Sequence, residues 1–165
     1  MIVCVDVDYR AAKVAAACVG FHDWADATPA FESVTCTEGA PPEYESGAFY
    51  RRELPYIVAA LVALTASPRI VVVDGYVRLA PGRPGLGAHL YAALGGGVGI
   101  VGVAKRNFAG AVTAIPILRG TSQQPLFVTA TNADVAAVAQ SVRTMHGAHR
   151  IPTLLKRVDR LARDA

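Results

Sequence analysis

The sequence predicts a mixed α/β domain, and three observations carry that expectation. Two strand-like segments come first and suit a hairpin. Helix-like and strand-like segments then alternate toward the C-terminus. The composition is 53% apolar and only 18% charged over 165 residues, with short Ala and Val runs that suit a sheet covered on both faces. This length fits one domain, taken as residues 1–165, which buries enough surface to fold without a disulfide or structural metal.

Residues 2–9 alternate and are rich in Val, which predicts a strand. Cys4, Asp6 and Asp8 fall on one face, and Val3, Val5 and Val7 on the other. Residues 12–22 read as its hairpin partner and 31–37 as a third strand. Residues 40–47 form a loop marked by Pro41, Pro42 and Gly47. Residues 49–66 place Leu54, Ile57, Val58, Leu61 and Leu64 at helical spacing. Pro55 predicts that the regular helix begins close to it.

Residues 69–74, one Ile and three Val closing on Asp-Gly, mark a buried central strand with a polar residue at its C-terminal end. A loop over 76–84, a helix over 85–94 and a strand over 98–103 leading to Lys105 follow. Short strands near 112–118 and 125–129, a helix over 133–145 and a helix from Thr153 close the chain. Gly97-Val98-Gly99-Ile100-Val101-Gly102 fits GxGxxG. It lies before and inside a strand, whereas a dinucleotide loop follows a strand, so it reads as tight packing.

Several function classes are set aside. The three cysteines, Cys4, Cys18 and Cys36, have no CxxC spacing and read as reduced thiols of a cytoplasmic protein. Asp6 and Asp8 interrupt the N-terminal apolar run, so no secretory signal is expected. The glycine-rich residues 85–104 read as helix then strand, so no membrane association is expected. The net charge of +3 is too small to establish nucleic-acid binding by itself.

The chemistry lies in the carboxylates. Asp6 sits mid-strand, Asp74 ends an apolar strand, and Glu53 lies near a helix start. A carboxylate on a buried strand costs several kcal/mol unless it is paired, hydrogen-bonded or bound to metal. Taken singly, each also suits a salt bridge or a cap. Together they suggest a shared hard cation such as Mg²⁺, with Mn²⁺ as substitute.

Four ordered blocks of this chain resemble the endonuclease V family. The first is Val5-Asp6-Val7-Asp8-Tyr9. The second runs from Tyr44 through Gly47 to Arg52-Glu53-Leu54-Pro55. The third comprises Val72-Val73-Asp74-Gly75, Gly85-Leu86-Gly87-Ala88-His89 and Gly102-Val103-Ala104-Lys105. The fourth is Arg150-Ile151-Pro152 through Lys156-Arg157-Val158-Asp159. The resemblance implies a ribonuclease H-like mixed β-sheet flanked by helices, whose strand order the segments above match. It implies hydrolysis of a phosphodiester 3′ to deaminated adenine (inosine) in DNA or RNA.

By that resemblance Asp6, Glu53 and Asp74 are catalytic metal ligands. Lys105 stabilises phosphate charge, and Tyr44 is the wedge aromatic. Arg51, Arg52 and Arg83 are candidates for backbone phosphate contacts, and His89 for orienting a phosphate or a metal-bound water, with a capping or core histidine as its alternative. The chain departs from the family at Ala80-Pro81-Gly82, where His-Pro-Arg is usual. It also departs at Glu43-Tyr44-Glu45-Ser46 and in the loop ending Thr131-Asn132-Ala133-Asp134, where the family carries a metal-site His. Asn132 is the candidate substitute ligand there, with Asp134 beside it, though both also suit helix caps. The alternatives are a ribonuclease H-like nuclease of different specificity and a weakened or inactive nucleic-acid binder. Neither residue pattern nor resemblance indicates an oligomeric state.

Overall fold

A computed structural model describes residues 1–39 and 49–165. The expected loop over 40–47, with Tyr44, lies outside the described residues. Strands β1 (Ile2–Tyr9), β2 (Lys13–Phe21) and β3 (Phe31–Glu38) form an antiparallel meander. Strands β4 (Ile70–Val73) and β7 (Gly99–Ala104) lie parallel to β1 and to each other. Strands β8 (Ile115–Ile117) and β9 (Leu126–Thr131) complete a seven-stranded sheet in the order β3-β2-β1-β4-β7-β9-β8. This is the mixed sheet that the sequence predicts, with the all-apolar β4 and β7 at its centre, where both faces are covered.

The two faces carry separate cores. Helices α1 (Phe49–Val62) and α2 (Leu86–Ala93) cover one, burying Ile57, Leu61 and Leu90 against Val3, Val5, Val71 and Val73. Helices α3 (Val135–Thr144) and α4 (Thr153–Asp164) cover the other, burying Val142, Leu154 and Val158 against Ile2, Cys4, Val72 and Val101. The alternation expected along β1 therefore holds, with Cys4 and Val5 on opposite cores. Among the described residues no helix is long and apolar enough to cross a membrane.

Two elements differ from expectation. Helix α1 begins at Phe49, so Pro55 lies inside it rather than at its start. Pro55 is exposed, so its ring and its missing N–H lie on the solvent side of the helix. The expected loop over 76–84 contains a small antiparallel ribbon, β5 (Arg78–Ala80) with β6 (Arg83–Pro84), turned at Pro81-Gly82. Gly82 has φ of +72°, a conformation that glycine adopts without strain.

Candidate active site

Parallel pairing aligns the C-terminal ends of β1, β4 and β7 and so builds the site. Val5 pairs with Val73, and Val73 with Gly102. The next residues along β1 and β4 are Asp6 and Asp74, which are therefore neighbours in register. Strand alternation turns both toward the α3/α4 side, the side of Cys4 and Val72. β4 stops at Val73, so the sheet is open there, and Glu53 reaches the same end from α1 on the opposite face. Asp6, Asp8, Glu53, Asp74, Lys105, Asp159 and Arg163 line one polar cleft of about 210 Å³.

Gly102 seats the turn that presents Asp74. A Cβ there would stand 2.5 Å from the Gly75 carbonyl oxygen and 2.7 Å from Thr129 Oγ1. Thr129 Oγ1 accepts a 2.9 Å hydrogen bond from the Val77 amide, fixing the chain just beyond. The tight packing read from the sequence holds at Gly102 and at Gly99, where a Cβ would stand 3.2 Å from the Asn132 carbonyl oxygen, whereas Gly97 has open space beside it.

The cleft is electrostatically crowded. Burial, and next the charge of Asp74, push the Asp6 carboxyl up to about 7. Burial, with Asp6 and Asp74 adding, pushes Glu53 up to about 8. Glu53 is only 9% exposed. Among the described residues, Asp6 accepts one hydrogen bond, from the Val7 amide at 3.0 Å, and Glu53 accepts none.

Lys105 Nζ donates a 2.6 Å hydrogen bond to Asp74 Oδ2. Burial works against the Lys105 charge. Its bond to Asp74, with the charges of Asp74, Asp6 and Asp159, outweighs that and raises its pKa. Arg163 binds Asp159 at 2.7 Å.

A divalent cation fits this donor set in chemistry. Five carboxylates provide hard oxygens, and among the described residues two of them, Asp6 and Glu53, make no ion pair. Among the described residues no three acidic, His or Cys side chains are already gathered in metal-binding geometry. Lys105 draws Asp74, and Arg163 draws Asp159, into ion pairs.

The remaining predicted residues divide. Arg52 lies over the Tyr9 ring at 4.0 Å, and its charge lowers the Glu53 pKa. It does not line the acidic cleft. Arg83 is exposed, 5.6 Å from the Phe108 ring centroid. His89 stacks on Tyr50, with centroids 3.5 Å apart and planes 9° from parallel. Its Nε2 is buried without a hydrogen-bond partner among the described residues, and burial, with Arg51 adding, lowers its pKa. Tyr50, Asp74, Gly75, Tyr76, Leu79, Pro84, Gly85 and Leu86 line a mostly apolar pocket of about 180 Å³ beside the cleft.

Asn132 requires correction. Thr131 pairs with Ile100, and Ala104 with Phe127, so Asn132 stands at the start of β7 and Lys105 at its end. The strand length separates Asn132 from the carboxylates, and its amide reaches the Gly97 carbonyl at 3.5 Å. Asn132 therefore cannot share their ion. Asp134 caps α3, accepting from the Ala136 and Ala137 amides. Two further acids join the cleft, Asp8 of β1 and Asp159 of α4, and the sequence reading gave neither a role. Both stand in family-like blocks, Asp8 in the first and Asp159 at the end of the fourth, and Asp159 follows Val158 on the buried stripe of the last helix.

The fold is ribonuclease H-like, with an acidic cleft at the C-terminal ends of its central parallel strands. The family model for endonuclease V matches residues 1–157, and the chain belongs to that family. Endonuclease V of Streptomyces avermitilis is 32% identical over 142 residues, covering 74% of this chain and 61% of that relative. The chain thus spans about three-fifths of that relative's length. The crystal structure of the Streptomyces avermitilis protein superposes with a TM-score of 0.77 at 27% identity, covering 99% of this chain and 79% of the other. Ciona intestinalis endonuclease V, solved with a 23-mer DNA containing an inosine followed by a ribo-adenosine, has the same fold. Its TM-score is 0.77 at 17% identity, with 99% of this chain and 83% of that chain covered.

Proposed function

We propose that this chain is a metal-dependent endonuclease that hydrolyses the phosphodiester 3′ to a deaminated base, inosine, in DNA or RNA. The observation that carries the reading is the convergence of Asp6, Glu53 and Asp74 with Lys105 at one end of the sheet, in a member of the endonuclease V family. Asp6, Glu53 and Asp74, joined by Asp159, would hold Mg²⁺, with Mn²⁺ as substitute. When bound, such an ion supplies a water of lowered pKa and draws charge from the phosphoryl oxygens.

The chain's own groups do the rest. Lys105 Nζ, held at the strand end by Asp74, donates to a non-bridging phosphate oxygen as negative charge develops there. The pocket walled by Tyr50, Gly75, Tyr76 and Leu86 opens beside Asp74 and takes the extruded base. His89 supports that wall by stacking on Tyr50. Arg83 contacts the strand backbone. Arg52, turned onto Tyr9, holds Glu53 in place by its charge rather than touching phosphate. Tyr44 fills the gap the base leaves, a stacking contact worth ~1–3 kcal/mol.

A cleavage assay with Mg²⁺ or Mn²⁺ on matched inosine-containing and undamaged strands tests this. Inosine-dependent nicking 3′ to the lesion is expected. Equal cutting of both strands would move the chain to a nuclease of different specificity. Binding without cutting, unchanged in Asp74→Ala, would leave only a nucleic-acid binder.

A further inference from the structure

We infer that a rigid basic groove next to the carboxylates seats a backbone phosphate of the strand leaving the site on its 3′ side. This rests on the nucleic-acid reading above. The groove, about 310 Å³, is lined by Lys105, His149, Arg150, Lys156 and Asp159, with Ile151 and Leu155 as its apolar floor. It shares Lys105 and Asp159 with the acidic cleft, so its occupant lies next to whatever occupies the cleft.

Its charge is positive. Asp159 is the single acid among the residues lining it and is bound to Arg163. The first turn of α4, which carries Lys156, has no acidic residue, and Lys156 is exposed with no ion pair among the described residues.

The groove is also built, not incidental. Arg150 donates through Nη2 to the Lys105 carbonyl and, at 2.8 Å, to the Pro125 carbonyl, and through Nη1 to Gln124 Oε1 at 3.3 Å. Its charge is therefore fixed against the strand that presents Lys105. The loop carrying Arg150 is itself held by Arg119, which is 5% exposed. The Arg119 guanidinium donates to the carbonyls of Arg143, Met145, Gly147, His149 and Arg150. A cation preset in this way binds phosphate without the entropy cost of ordering it.

The position sets the polarity. The apolar pocket for the base opens on the α1/α2 side, against Tyr50 and Leu86. The basic groove opens on the α4 side, between Lys105 and the start of that helix. A strand with its base in the first and its scissile phosphate at Lys105 continues into the second. With the cut 3′ to the base, the groove takes the 3′ flank.

Equilibrium binding to an inosine-containing single strand, without divalent metal so that nothing is cut, tests the groove. Lys156→Ala is expected to weaken binding about three- to tenfold near 0.1 M salt. It should do so equally for inosine-containing and undamaged strands, and lower the salt slope by roughly one contact. Lys13→Ala, on β2, is the control and should bind as wild type. One neutral methylphosphonate is then walked along the strand. A position 3′ to the inosine should weaken wild type and leave Lys156→Ala unaffected.

Wild-type affinity and salt slope in Lys156→Ala would overturn the groove while leaving the nuclease reading intact. So would a sensitive phosphate on the 5′ side. A wild-type protein that binds no strand at all would remove both.

Discussion

Lys105 Nζ donates a 2.6 Å hydrogen bond to Asp74 Oδ2, across the C-terminal ends of the neighbouring parallel strands β7 and β4. The pair holds a cation against a carboxylate proposed as a metal ligand, so Lys105 has two effects that a substitution separates. Lys105→Ala is expected to lower kcat about 10²- to 10³-fold, the loss typical of one donor to a developing anion. It should also lower the Mg²⁺ concentration needed for half-maximal rate, because Asp74 is released. Metal titration of the steady-state rate reads both. An unchanged kcat with weaker metal dependence would contradict the assignment.

The raised carboxyls make stability fall with pH. Asp6 moves from 3.8 to about 7 and Glu53 from 4.5 to about 8, so the fold holds these protons more tightly than the unfolded chain does. The stabilisation is complete below about pH 4 and is lost as pH rises through about 7 and about 8. Metal-free protein should therefore be less stable at pH 8 than at pH 5, by on the order of a few kcal/mol from these two groups. Urea unfolding in EDTA at both pH values measures it. Asp6→Asn should flatten the difference, and added Mg²⁺ should reverse it by linkage.

Asp159 and Asn132 can be told apart by their positions at opposite ends of the sheet. Asp159→Asn should weaken metal dependence and lower cleavage about tenfold or more. Asn132→Ala should leave both unchanged. Asp134→Ala should cost about 1 kcal/mol of stability through the lost α3 cap, with no effect on metal dependence. Metal titrations of the rate and chemical denaturation of the three variants separate these outcomes.

Arg119 is a buried staple, and its loss should be severe. Arg119→Met removes the donor from five backbone carbonyls in and beside the turn between α3 and α4. A cost of about 3 kcal/mol or more is expected, because buried acceptors lose their partner. Thermal and urea unfolding check it, and a loss under about 1 kcal/mol would show that the staple is dispensable.

Gly102→Ala tests the seat of the Asp74 turn. The added methyl meets the Gly75 carbonyl and Thr129 Oγ1, so β4, β7 or the turn must shift. A destabilisation of about 1–3 kcal/mol is expected, with cleavage falling by more than that loss of folded protein explains. Activity per folded molecule, measured alongside denaturation, distinguishes this from simple loss of stability.

Much of this architecture is legible in the residues. The Val-rich alternation of β1 and the apolar run of β4 specify buried strands, and Asp6 and Asp74 stand out because each interrupts one. Lys105 is legible for the same reason, as the charge that ends β7. Glu53 and Asp159 are harder, because a carboxylate on an amphipathic helix looks like any solvated residue. Only the tertiary arrangement turns Glu53 over the gap where β4 stops and brings Asp159 up to Lys105. Asn132 misled because order along the chain does not say which end of a sheet a loop occupies, and antiparallel pairing of β9 with β7 sends it to the wrong end. Pro55 misled because its helix rule ignores which face the proline takes.

A crystal soaked in Mn²⁺, read by anomalous scattering, tests the central assignment most directly. The predicted result is an ion bound by oxygens of Asp6, Glu53 and Asp74, with the Lys105–Asp74 pair loosened. An ion at another place, or none at saturating Mn²⁺, would contradict it.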